Sequence, residues 1–245
     1  MNDLITIWIA GGTPFPTAAA VTIVFAVIAY LVRGVSVSGA IAGSLLCFIL
    51  YTSAGWGAFA ALVTVFLLAW ITTKIGYGRK KELGIAEKRG GRSASQMFAN
   101  LSVAALFALI YAAIDHRGAF LLAAGAALAE AAGDTVSSEF GQSQSHSARL
   151  LTTWEPVPAG TDGGLTLAGT IAGIFAAVAV GAVYASSGEI SWRSLWILVL
   201  AATLGFMTDS LLGATLERRR VLNNDFVNFL STLVAALAAL VIASI

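Results

Sequence analysis

Charge is what this sequence has least of. Of 245 residues, 14 are Lys or Arg and 13 are Asp or Glu, together 11%, against about 25% in a soluble domain. The hydrophobic fraction is 58% and mean hydropathy is +0.85. A compact soluble body could not cover its surface with so few charges, which excludes a soluble Rossmann or barrel enzyme. The single cysteine, Cys47, excludes an intrachain disulfide and a cysteine-based metal site. His116 and His146 stand far apart in the chain and argue against a His-rich metal centre. A net charge of +1 gives no field to gather polyanions, so no nucleic-acid partner is expected. Met1-Asn2-Asp3 puts no basic residue before the first apolar run, a poor n-region for a signal peptide.

Long apolar runs are what is there. A helix needs about 20 mainly apolar residues to cross a bilayer core. Such runs lie at about 17–32, 36–51, 56–73, 95–114, 119–138, 164–186, 193–215 and 226–244. The expectation is an all-α polytopic bundle of about eight spans, one integral membrane domain over 1–245. Residues 4–12 are too short to cross, and Gly11-Gly12-Thr13-Pro14-Phe15-Pro16 breaks any helix. The segment 1–16 reads as interfacial or re-entrant. With the N-terminus outside, Arg33 and the segments 74–94, 139–163 and 216–225 fall inside, carrying 12 of the 14 basic residues. Only Arg117 and Arg193 stay outside, as the positive-inside rule requires. Trp56, Trp192 and Trp196 then mark the outer edge and Trp70 the inner. In a bacterium this is an inner-membrane protein with its motif-bearing loops in the cytoplasm.

No loop is long enough for a soluble catalytic domain, so any chemistry sits at the inner membrane face. Helices four, six and eight begin there, and helix N-termini seat phosphate through unpaired N–H groups and a partial positive charge. Ser93-Ala94-Ser95-Gln96 is a capping box before helix four. Gly160-Thr161-Asp162-Gly163-Gly164 precedes helix six and lets backbone approach a ligand closely. Asn223, Asn224 and Asp225 open helix eight, with Asn228 one turn on. The carboxylates Asp134, Glu139 and Asp209 share one depth near the inner boundary, with Glu130 nearer the midplane. Ionisable groups within spans are costly and mark function. Three carboxylates beside phosphate-seating helix ends suit Mg²⁺, which takes oxygen ligands, water and substrate phosphates. Lys88, Arg89 and Arg92 precede helix four, Gln96 and Asn100 extend that face, and Arg149 lies between the acidic motif and the glycine loop. Arg92 and Arg149 read as phosphate-binding forks. Arg79-Lys80-Lys81 and Arg218-Arg219-Arg220 read mostly as topology anchors.

The ordered set of segments is recognisable. Gly133-Asp134-Thr135-Val136-Ser137-Ser138-Glu139-Phe140-Gly141, Arg149-Leu150-Leu151-Thr152-Thr153, Val157-Pro158-Ala159-Gly160-Thr161-Asp162-Gly163-Gly164, Asp209-Ser210-Leu211-Leu212-Gly213 and Leu222-Asn223-Asn224-Asp225 follow one another. Lys88-Arg89-Gly90-Gly91-Arg92 with Gln96 and Asn100 precedes them. This series resembles the membrane family of the plant phytyl-phosphate kinase, over roughly 35–230. The resemblance implies transfer of a phosphoryl group from a nucleoside triphosphate, CTP among them, to an isoprenyl monophosphate. It implies catalysis by Asp134, Glu139, Asp209 and Arg149, with metal on the three carboxylates. The partners are then the lipid phosphate, the nucleotide and membrane lipids. Asp209 stands where that family often has Glu, and Leu216-Glu217-Arg218 replaces a Gln-bearing run. The alternative is a transporter or flippase for a lipid phosphate, which would place its site near the midplane on broken helices.

Overall fold

The computed structural model describes residues 15–86, 90–114 and 118–245. The expectations for 1–14, for Lys88 and Arg89, and for Arg117 lie outside the described residues. Helix α1 spans Phe15–Leu31, and α2 spans Val37–Lys74. Gly55 interrupts α2 with φ 76° and ψ −167°, a conformation essentially confined to glycine. The two limbs, 37–54 and 56–74, lie side by side. A Cβ at Gly34 would stand 2.6 Å from the Phe66 ring, and Trp70 Nε1 donates to the Val32 carbonyl at 3.1 Å. The reversal at Gly55 is thus the whole connection between the second and third spans.

A short α3 (Tyr77–Glu82) leads to α4 (Ala94–Ala113) and α5 (Gly118–Gln144). After the sheet described below come α6 (Leu167–Ser186), a 3₁₀ turn (Trp192–Ser194), α7 (Leu195–Leu212), a π turn (Gly213–Glu217) and α8 (Asn224–Ala243). Among the described residues six helices are long and apolar enough to cross a membrane, and α1 is a shorter apolar helix of 17 residues. Counting each limb of α2 and the shorter α1, the described residues hold eight apolar helical segments, roughly consistent with the spans read from the sequence.

Helix α5 is the axis. It packs against α2, α4, α6, α7 and α8, whereas α1 packs mainly on α2. Small residues make this possible, because lipid offers no hydrophobic drive and helices must gain from close approach. Gly125 lies against the Tyr184 ring, and Gly133 lies against Phe206 and the Gly173 carbonyl. At the opposite end of the bundle from α3, Glu189 accepts from the Gly57 N–H at 3.3 Å and ties the α6–α7 connection to the Gly55 turn. Burial raises the Glu189 carboxyl above its ordinary range, and the Gly57 bond partly opposes the shift.

Two boundaries differ from expectation. Helix α5 continues to Gln144, so 139–144 is helix. The chain then forms three short antiparallel strands, β1 (Ser147–Leu150), β2 (Pro156–Pro158) and β3 (Gly164–Leu165), in the order β2-β1-β3. Ser147 pairs with Pro158 and Arg149 with Leu165. The membrane body is all-α, and this sheet caps the end at which α5 terminates.

Candidate active site

Two carboxylates meet in the C-terminal halves of α5 and α7. Asp134 and Asp209 lie within hydrogen-bonding reach of each other and are half-buried among helices. Asp209 Oδ2 is buried without a hydrogen-bond partner among the described residues. Both open on a polar cavity of about 120 Å³. Ser137 and Ser138 of α5, residues 160–164, Thr166 and Asn224 complete its wall with Glu217.

Local sequence explains the assembly. The π turn at Gly213–Glu217 lengthens the end of α7 and brings Glu217 round to the cavity. The glycine-rich segment folds onto that turn. Gly163 has φ +74°, and a Cβ there would lie 2.5 Å from Ala214 Cα, while a Cβ on Gly213 would lie 2.7 Å from the Gly163 nitrogen. The glycines therefore serve backbone-to-backbone approach. Thr166 caps α6 by accepting from Gly169 N at 3.0 Å, and Asn223 caps α8 by accepting from Phe226 N at 2.9 Å. Thr166 and Asn224 place the N-terminal ends of α6 and α8 at the cavity. Thr161 spends its hydroxyl on the Pro158 carbonyl at 2.7 Å, holding the loop.

On the other flank of α5, Arg92 Nη2 reaches Thr135 Oγ1 at 3.5 Å, and its charge acts on Asp134. The strand-like bridge between Val35 and Arg92 fixes its backbone, with Ser36 N donating to the Arg92 carbonyl at 2.9 Å. The capping box forms as the sequence predicts: Gln96 Oε1 accepts from Ser93 N at 2.8 Å and Gln96 N donates to Ser93 Oγ at 3.4 Å. Asn100 is buried and donates to the Gln96 carbonyl at 2.8 Å.

The comparisons agree with this architecture. The model of the integral membrane protein family DUF92 matches residues 20–236. The chain belongs to that family. An uncharacterized membrane protein of Methanocaldococcus jannaschii is 34% identical over 83% of this chain and 84% of its own length. An uncharacterized membrane protein of a Synechocystis strain is 33% identical over 78% and 76%. The chloroplastic protein VTE6 of Arabidopsis thaliana is 30% identical over 86% of this chain and 66% of its own. No solved structure matches significantly. The family resemblance read from the ordered motifs is thereby borne out.

Within this DUF92 chain, not every expected site residue reaches the cavity. Glu139 does not join Asp134 and Asp209. Five positions along an α-helix turn the side chain by about 140°, so Glu139 faces α2 and α3. There it pairs with Lys80 and accepts from Thr73 Oγ1 at 3.1 Å. Lys80 has no solvent exposure and also donates to the Thr72 and Thr73 carbonyls at 3.2 and 2.9 Å. Arg149 is also turned away. In β1 the buried residues are Ala148 and Leu150, so the alternating pleat sends Arg149 outward, where Nη1 donates to the Trp154 carbonyl at 2.8 Å. Asp225 and Asn228 lie in the first turns of α8, outside the cavity wall. Glu217 does line it, although nothing in its sequence neighbourhood points to a role there.

The expected three-carboxylate metal site is not assembled: among the described residues no group of three or more His, Cys, Asp or Glu could hold a metal. The pair Asp134 and Asp209 still suits Mg²⁺. Two half-buried carboxylates in contact repel unless a shared proton or a cation lies between them, and Asp209 Oδ2 is a hard-oxygen donor without a partner among the described residues. Mg²⁺ commonly uses one or two carboxylates and takes its other ligands from water and phosphates.

Proposed function

We propose that the protein is a membrane-embedded kinase that transfers a phosphoryl group from a nucleoside triphosphate to an isoprenyl monophosphate. The supporting observation is the half-buried Asp134–Asp209 pair, set in a polar cavity at two helix N-termini with Arg92 on the flank of α5. Phosphoryl transfer asks for positioning and neutralisation more than covalent chemistry, and those are the functions such groups perform. An oxygen of the lipid monophosphate attacks the terminal phosphorus. The bond to the bridging oxygen breaks, and the products are the lipid diphosphate and the nucleoside diphosphate. The acceptor is already anionic, so no strong base is needed.

Asp134 and Asp209 would hold Mg²⁺, which neutralises phosphate charge when bound. The backbone of 160–164 and the ends of α6 and α8 bind triphosphate oxygens through N–H groups. Arg92 steadies the acceptor phosphate with its guanidinium fork. The sequence resemblance to the plant phytyl-phosphate kinase family supports this reading, and the inside location of the cavity follows from the basic-residue partition.

The test is formation of diphosphate by purified protein from phytyl, geranylgeranyl or longer polyprenyl phosphate, with ATP, CTP, GTP or UTP and Mg²⁺. Turnover is expected for at least one pair and is expected to vanish in Asp134→Asn and Asp209→Asn proteins that still fold. Substantial Mg²⁺-dependent turnover in Asp134→Asn protein sinks the assignment. A lipid-phosphate transporter is the second reading. It draws on Glu130, which is buried nearer the midplane with Oε1 unpartnered among the described residues. Movement of lipid phosphate between leaflets of proteoliposomes, with no diphosphate from any pair, would favour it.

A further inference from the structure

A second cavity, of about 420 Å³, lies on the opposite side of α5 between α1, both limbs of α2 and α4. Phe25, Gly43, Leu62 and Phe66 give it apolar walls. From Leu62 to Lys74 it follows the second limb of α2 for about 18 Å at 1.5 Å per residue, over half of a ~30 Å hydrocarbon core. Its inner end is different. Arg33, Lys74 and Arg92 line it there, and no acidic side chain lines it anywhere among the described residues. Buried Asn100 adds a polar wall beside Arg92. The volume is near the low end of the ~300–1,000 Å³ that holds one small ligand, enough for one chain and not two.

We infer that this groove is the seat of a single-chain lipid phosphate, its tail along the second limb of α2 and its phosphate at Arg92. The charge pattern selects an anion at the membrane boundary, and the apolar length selects a tail that stays within the bilayer. The position suits the chemistry. Ala131 of α5 lines the groove, Asp134 lines the polar cavity, and Thr135, one turn on from Ala131 and next to Asp134, meets Arg92. A phosphate on Arg92 is thus one helix flank from the carboxylate pair. Naming the occupant as the phosphoryl acceptor rests on the proposed kinase activity; its binding does not.

The experiment is photolabelling of the full-length protein in nanodiscs with geranylgeranyl monophosphate carrying a diazirine at the tail end. Peptide mass spectrometry then maps the adducts. Adducts are expected at the end of the groove far from Arg92, within 43–47 and 59–65. Unlabelled geranylgeranyl phosphate is expected to compete at least about tenfold better than the alcohol, as loss of a charge-assisted contact implies. Diacyl phosphatidic acid is expected to compete poorly. A Cβ at Gly43 meets only Met97, at 3.6 Å from its sulfur, so Gly43→Leu fills the groove without backbone strain and is expected to cut labelling at least about tenfold. Arg92→Gln is expected to erase the preference for phosphate over alcohol. Adducts confined to other helices, or equal competition by phosphatidic acid, overturn the inference, and the wild-type map needs no variant to fold. Groove labelling without any diphosphate removes the kinase reading and leaves the groove; diphosphate formation with adducts elsewhere does the reverse.

Discussion

Replacing Gly163 by Ala tests whether the glycine-rich segment works by touching the π turn. Two penalties apply. The first is conformational, since an L-residue held at left-handed φ costs about 1–2 kcal/mol. The second is steric, because the new methyl would sit 2.5 Å from Ala214 Cα, and overpacking costs about 1–3 kcal/mol. Gly84 supplies the control. It has φ +74°, the same as Gly163, but nothing lies within 4 Å of its would-be Cβ. Gly84→Ala therefore meets only the first penalty, and the difference between the two variants isolates the contact. If the loop escapes the clash by lifting off the π turn, the lost docking appears as activity. At about 1.4 kcal/mol per factor of ten, a steric cost of ~1–3 kcal/mol predicts a fall in kcat/KM of about 5- to 150-fold beyond Gly84→Ala. Diphosphate formation is one assay. Alkylation of a cysteine placed at 161 in a Cys47→Ala background is the other, and it is expected to quicken in Gly163→Ala alone. If both variants match wild type in turnover and alkylation, the loop does not depend on its contact with Gly213 and Ala214, and the reasoning fails.

Glu139→Gln and Lys80→Met each leave a buried charge without its partner and are expected to destabilise by about 3–5 kcal/mol, read as the thermal midpoint in detergent. The double variant Lys80→Met/Glu139→Gln is expected to lose less than the sum of the two single losses, and strictly additive losses would refute the pairing. Arg92→Ala is expected to lower turnover on lipid phosphate by at least about tenfold, whereas Arg149→Ala changes it by less than about twofold because its fork bonds an exposed carbonyl; equal losses would restore Arg149 to the site. Burial raises the Glu189 carboxyl, so its folded form favours the proton, and its contribution to stability is full below the ordinary Glu range and is lost as pH rises through the raised value. Glu189→Gln is expected to flatten that part of the melting-temperature profile between mildly acidic and neutral pH, and an unchanged slope would show that Glu189 does not carry it.

The bundle was legible in the sequence because its signals are local. Apolar runs of span length, caps such as Ser93 and Asn223, and a glycine after Ser53-Ala54 each report on their own neighbourhood. Asp134 and Asp209 were legible too, because a carboxylate within a span has few roles. What failed depended on partners. Glu139 shares the depth of Asp134, but helical rotation sends it to Lys80, whose complete burial no local pattern announces. Arg149 was read as loop because β1, β2 and β3 are short and pair across long separations. Glu217 was missed because only the π turn swings it inward, and an α-helical count from Asp209 gives no hint of that.

The buried pairing of Lys80 has a consequence for how the chain reaches its topology. Lys80 is among the cations whose distribution orients the spans during insertion. In the finished molecule it binds the last carbonyls of α2 and the carboxylate of α5, while neighbouring Arg79 donates to the carbonyls of Ser143 and Ser145 at 3.1 and 2.7 Å. These bonds can close only when the ends of α2 and α5 emerge on the same side. A chain threaded with either helix inverted would strand Lys80 without Glu139 and Arg79 without its carbonyls. The same two residues thus find their partners only in a chain whose α2 and α5 ends lie together, and a copy with either helix inverted would differ by unmet donors rather than by any newly exposed apolar face.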